Sequence, residues 1–258
     1  MNTNRAILDV TKKLHNLRVN SWYSPYNGDE MDNDLIEKFF PKVINLKVVT
    51  LGSHTSDKII DMIVSSCHEL QVLDCREDCW CTVTDRGLES LSSLKSLRYV
   101  LFSHLPDEYE EEDEKLLFTA KGIASLIISL PHLIKFECPE YLIREALDII
   151  KSKNIILPSI KSLYLEGNGA HSSTFITAYK VCPNLEELCI MVHKDEENDI
   201  GDSLAEFKEL QSLTLNKLVA PLGSLKLSVY GQQLKFLDIK KDAFIASPSL
   251  PVRCPSPR

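Results

Sequence analysis

No stretch of this sequence stays apolar long enough to cross a bilayer. The longest mostly apolar run, 122–134, is broken by Ser125, Ser129, Pro131 and His132. A spanning helix needs about 20 apolar residues. No secretory signal opens the chain, because 1–13 is dotted with Asn, Arg, Asp and Lys and has no apolar centre. The expectation is a soluble intracellular protein, cytoplasmic or nuclear, with no membrane contact. A basic excess is missing as well: 29 Lys and Arg stand against 37 Asp and Glu, a net charge of −8. A nucleic-acid face needs a basic stripe. Pairs such as Lys12-Lys13 and Lys240-Lys241 are too short to make one.

Catalytic signatures are absent. The chain has no Gly-rich phosphate loop, no Gly-x-Ser-x-Gly and no His-Glu-x-x-His. Its seven histidines, His15, His54, His104 and His193 among them, are scattered through turns and polar stretches. Eight cysteines are present, but none forms the paired CxxC spacing of a zinc site. Cys75-x₃-Cys79-x-Cys81, with His68 nearby, does not match that pattern either. Free thiols packed as small hydrophobes are the expectation, and disulfides are not expected without a secretory signal. The chain thus reads as no enzyme, with no cofactor and no metal.

What is present is a phrase: an apolar residue, two others, a second apolar residue, one other, a third apolar residue. It occurs nine times. The first four copies are Leu14–Leu17–Val19, Leu46–Val49–Leu51, Leu70–Leu73–Cys75 and Leu97–Val100–Phe102. Leu133–Phe136–Cys138, Ile160–Leu163–Leu165, Leu185–Leu188–Ile190, Leu210–Leu213–Leu215 and Leu234–Leu237–Ile239 follow. Most successive copies begin 24–27 residues apart. Phrase and period mark a leucine-rich repeat. The expected fold is α/β: a curved repeat solenoid with a parallel sheet on the concave side and helices on the convex side. Such a solenoid offers an extended surface to a partner.

The anatomy of one repeat can be read from 67–91. Alternation places Leu73 and Cys75 inward on a short strand, with Val72, Asp74 and Arg76 outward. Thr84 or Asp85 then caps a helix that carries Leu88 and Leu91 inward. Phe118-Thr-Ala-Lys-Gly-Ile-Ala-Ser-Leu126 lines up with Val83-Thr-Asp-Arg-Gly-Leu-Glu-Ser-Leu91, matching Gly122 to Gly87. Polar caps before apolar runs also stand at Ser56-Asp57, Asp32 or Asn33, Ser172 or Ser173, and Asp202 or Ser203. The last of these intervals are short enough for a 3₁₀ turn.

Cys67-x-x-Leu-x-x-Leu-x-Cys75, followed by Val83-Thr-Asp-x-Gly-Leu88, resembles the cysteine-containing subfamily of leucine-rich repeats. Cys182-Pro-Asn-Leu-Glu-Glu-Leu-Cys-Ile190 is a second match. That subfamily is best known from F-box substrate receptors of cullin–RING ubiquitin ligases. The resemblance implies substrate recognition linked to SCF-type ubiquitin ligation. No F-box of the usual length fits before Leu14, so the chain reads as a fragment of a longer F-box protein, as an F-box-free relative that meets ubiquitin-ligase subunits through an F-box supplied elsewhere, or as a protein that acts otherwise. The alternative is a stand-alone repeat scaffold, inhibitor or regulator without a ubiquitin role.

The repeats are expected to form one domain over 1–241. Its longest interval carries an acidic loop at 104–117, where Asp107–Glu114 holds seven acids and one tyrosine. Such a run reads as a solvated loop or a contact for a basic partner. The segment 242–258 is proline-rich and reads as a disordered tail. Its Pro248-x-x-Pro251-x-Arg253 has the form of an SH3-type ligand. Outward strand positions then define the candidate protein-binding face. Val48, Val72, Tyr99 and Leu101 are expected either to make one exposed apolar patch or to be partly covered by the long loop before Ile123. Asp74, Lys135, Glu137 and Tyr164 stand beside it.

Overall fold

The computed structural model describes residues 14–19, 40–51, 55–76, 81–102, 117–165, 172–191, 204–216, 233–240 and 252–253. The chain clusters into two compact units, Met1–Cys138 and Pro139–Arg258. The acidic loop lies outside the described residues except for Leu117. So do Cys79, Cys254, the cap at Asp32–Asn33, and all of the 242–258 tail but two residues.

The first unit contains five strands. They are β1 (Asn16–Val19), β2 (Val48–Leu51), β3 (Val72–Cys75), β4 (Tyr99–Phe102) and β5 (Lys135–Glu137). They pair in chain order and in parallel. A 3₁₀ turn, Phe40–Lys42, precedes β2. Helices α1 (Asp57–Ser66), α2 (Asp85–Leu91) and α3 (Ala120–Ser129) occupy the later connections. The second unit holds four parallel strands: β6 (Ser162–Leu165), β7 (Glu187–Met191), β8 (Ser212–Asn216) and β9 (Phe236–Lys240). Helices α4 (Glu140–Ser152) and α5 (Ser172–Val181) belong to it. A two-residue strand, β10 (Val252–Arg253), pairs antiparallel with Leu237 and Phe236 of β9. Each unit therefore has the α/β construction of a leucine-rich repeat stack. No helix among the described residues is long and apolar enough to cross a membrane.

The repeat phrase is the core. Leu46, Leu70, Leu97 and Leu133 are fully buried, as are Val49, Leu73 and Val100. Leu51, Cys75, Phe102 and Cys138 close the same layer. Phe102 bridges strand and helix layers, with its ring centroid 5.0 Å from Phe118 and 6.1 Å from Phe136. In the second unit Leu163, Leu188 and Leu213 are buried, and Leu204 and Phe207 point inward from a single turn. Four thiols, Cys67, Cys75, Cys138 and Cys182, are buried and form no disulfide, as the repeat positions require. Burial pushes Cys67 up to about 11 and Cys182 up to about 12, so both stay protonated and inert at neutral pH.

Helix α4 departs from the polar-cap signal. Pro139 stands at its N-cap and offers no side-chain acceptor. Proline's fixed φ suits a helix start all the same. Helix α5 turns Phe175 and Ala178 inward and leaves Ile176 exposed.

The first unit is locked on its helix side by a repeated bond. Asp57, the first residue of α1, accepts from the Thr84 amide at 2.8 Å and from the Thr84 hydroxyl at 2.6 Å. Asp85, the first residue of α2, accepts from the Thr119 amide and hydroxyl, both at 2.7 Å. Each threonine is also the N-cap of its own helix. The starts of α1 and α2 thus each hold the cap of the following helix. Asp61 adds a second tie, pairing with Arg86 and accepting from Ser90. Ala120 replaces the aspartate in α3, so the series ends there.

These bonds explain the matched glycines. A Cβ on Gly87 would come 2.4 Å from the Asp57 Oδ1, and one on Gly122 would come 2.0 Å from the Asp85 Oδ1. The carboxylate passes through the space a side chain would fill. Alanine favours a helix by about 1 kcal/mol over glycine, yet Gly87→Ala is expected to destabilise by about 1–3 kcal/mol through the clash. With Asp57→Ala in the background, the same change should cost less or stabilise. Denaturant titration of the four-member cycle measures this coupling. Additive effects would show that the carboxylate and the glycine do not depend on each other.

Candidate functional site

Strand alternation fixes which side chains leave the core. In the first unit the register aligns Asn16, Val48, Val72, Tyr99 and Lys135 as one column across β1–β5. A second column holds Arg18, Thr50, Asp74, Leu101 and Glu137. Both agree with the order expected from the repeat phrase. In the second unit Tyr164 aligns with Cys189, Thr214 and Asp238. Tyr164 therefore belongs to the second unit.

The first column behaves as an open surface. Val48, Val72, Tyr99 and Lys135 are all partly exposed. Adjacent strands lie about 4.8 Å apart, so Val48, Val72 and Tyr99 form one continuous apolar strip.

The second column differs from expectation. Leu101 is only 6% exposed and Glu137 only 5%. Neither belongs to an exposed patch. Leu101 sits between the Asp74 and Glu137 positions of the neighbouring strands. Each of those carboxylates is engaged by a cation from its own strand or the residue just beyond it. Arg76 donates Nε to the Asp74 Oδ1 at 3.0 Å and Nη2 to the Asp74 Oδ2 at 2.9 Å. The Arg76 backbone amide adds a third bond, at 3.1 Å. Lys135 Nζ lies 2.8 Å from the Glu137 Oε2, an ion pair without the alignment of a hydrogen bond. Alternation alone could not find this, because it gives the direction of a side chain and not its burial.

Electrostatics follow from the pairing. Burial pushes the Asp74 carboxyl up, and the Glu137 charge does the same. The hydrogen bonds and charge of Arg76 outweigh both and hold it below the ordinary carboxylate value. Its stabilising share is therefore present near neutral pH and lost as the pH falls. Burial pushes the Cys138 thiol well up, and the adjoining Glu137 charge adds to the shift. Among the described residues no group of three or more His, Cys, Asp or Glu is placed to hold a metal. What the arrangement provides is an apolar strip beside two carboxylates that pair with cations of their own strands or the residue just beyond.

Stability should separate the two columns. Leu101→Ala is expected to cost about 2–5 kcal/mol, as for a buried leucine. Val72→Thr, on the open column, should cost clearly less than Leu101→Ala. Chemical denaturation of the two variants compares them directly. A harmless Leu101→Ala would return that residue to the exposed surface.

No family model matches this chain, and no curated protein does. Two solved structures are similar to this chain in shape at low identity. A protein of Bacteroides fragilis from a structural genomics programme is 9% identical, with a TM-score of 0.45. The match covers 93% of this chain and 69% of that one. An octameric complex of Latrophilin 3, Unc5D and the leucine-rich repeats of FLRT2 matches at 16% identity with a TM-score of 0.34. That match covers 78% of this chain and 56% of the matched chain.

Proposed function

We propose that this chain is a protein–protein interaction module that binds through the strand-lined face of its first unit and carries out no reaction of its own. The observation that carries the reading is the strip of Val48, Val72 and Tyr99, held in register by three adjacent parallel strands. An apolar strip rimmed by charge is a common interaction site, and tyrosine a common anchor. Val48, Val72, Tyr99 and Lys135 are the contact residues in this reading, with Asp74 at their border. Leu101 and Glu137, being buried, are not contact residues in this reading.

The finer reading is that the module selects substrates for SCF-type ubiquitin ligation. It is supported by the cysteine-containing repeat phrase at Cys67–Cys75 and Cys182–Ile190, which is a likeness of fold. The two levels separate in one experiment. The tagged chain is used to capture proteins from its source cells, alongside the Val72→Thr/Tyr99→Ala variant, and both captures are read by mass spectrometry. The module reading expects a set of proteins that the folded variant fails to retain. The ubiquitin reading expects cullin–RING subunits in the same capture. Retention of every partner by the variant would move the binding face elsewhere. Specific partners without any ligase subunit would favour a scaffold or regulator.

A further inference from the structure

The strand layer of the first unit is cationic in a protein of net charge −8. Across 14–19, 46–51, 70–76, 97–102 and 133–138 the charged residues are Arg18, Lys47, Arg76, Arg98 and Lys135 against Asp74 and Glu137. Both carboxylates are already engaged by Arg76 and Lys135. The matching layer of the second unit is balanced. There Lys161, Lys235 and Lys240 stand against Glu186, Glu187 and Asp238, with Lys161 pairing with Glu186 at 3.0 Å.

Two of these cations stand out. Lys47 and Arg98 sit at the strand entrances, immediately before Val48 and Tyr99. Their backbones continue the strand register: the Gln71 amide donates to the Lys47 carbonyl at 2.8 Å, and the Arg98 amide donates to the Gln71 carbonyl at 2.8 Å. They therefore stand two strands, or about 10 Å, apart along one rim. Arg98 is exposed and Lys47 partly so. Neither side chain has an ion-pair or hydrogen-bond partner among the described residues.

We propose that the strand-lined face of the first unit takes an acidic peptide segment of another protein. Its apolar side chains lie on Val48, Val72 and Tyr99, and its carboxylates meet Lys47 and Arg98. The proposal rests on the binding face argued above and adds the chemistry of the partner. Apolar contact and unneutralised positive charge are adjacent at each end of the strip, and a partner must satisfy both. Nucleic acid fits less well. A single strand needs aromatic platforms for its bases, and Val48 and Val72 offer none. Opposite charges across such a face act mainly on encounter rate and choice of partner.

A display library of short random peptides, selected on the full chain, tests this. The selected pool should be richer in Asp and Glu than the input and should also be enriched in Leu, Phe or Trp. The Lys47→Gln/Arg98→Gln variant, with its fold checked by circular dichroism, should lose the acidic enrichment. Lys161→Gln, in the second unit, should keep it. If the double variant does not fold, Arg98→Gln alone should lower the acidic enrichment in the same direction. A neutral or basic pool would overturn the proposal while leaving the apolar docking face standing. Acidic enrichment unchanged in the folded variant would also overturn it, as would binding of single-stranded DNA in place of acidic peptides. Absence of any selected pool would count against both the proposal and the docking face.

Discussion

No single repeat of this chain can bury its own apolar side chains, and both units depend on that constraint. Leu73 and Cys75 reach zero exposure on a strand of four residues. Such a strand is too short to enclose them. The neighbouring strands, with Val49 and Val100 beside Leu73, complete the enclosure. Parallel registration follows from burial, because a shift of one residue would turn every inward side chain outward. Stability in such a stack is shared between repeats and their interfaces. Each repeat is then free to vary the residues that point away from the core.

On the helix side of the first unit, that freedom is given up for a specific bond. The Asp57–Thr84 and Asp85–Thr119 pairs satisfy helix-start donors and carboxylate acceptors together. They place like ends of successive helices at a fixed spacing and require glycine at 87 and 122. On the strand side the same freedom produces the open column of Val48, Val72 and Tyr99. Lock and surface lie on opposite sides of one repeat, so the helix side fixes the spacing at which the strand side presents its residues.

Much of this was legible in the sequence because burial imposes a period. The phrase at Leu70–Leu73–Cys75 and its copies predicts the strands, their order and both outward columns. The Val83–Leu91 and Phe118–Leu126 alignment marks Gly87 and Gly122 as equivalent. Three things were not legible. Helix α4 begins on Pro139, which leaves no polar cap to read. The purpose of the glycines depends on a carboxylate arriving from the preceding repeat, about 30 residues away (Asp57 for Gly87), beyond any local pattern. Alternation places Leu101 and Glu137 outward, but it cannot show that both are buried. The apolar patch expected from four residues therefore reduces to three.

The account stands on one claim, that the strand side of the first unit is the surface another protein touches. Site-specific photo-cross-linking in the source cells tests it most directly. A photoreactive phenylalanine analogue is placed at Tyr99, on the open column, and separately at Ile176, an exposed apolar residue on helix α5. The account predicts discrete cross-linked adducts from position 99 and none from position 176. Adducts from position 176 with none from position 99 would contradict it and place the partner on the helices of the second unit.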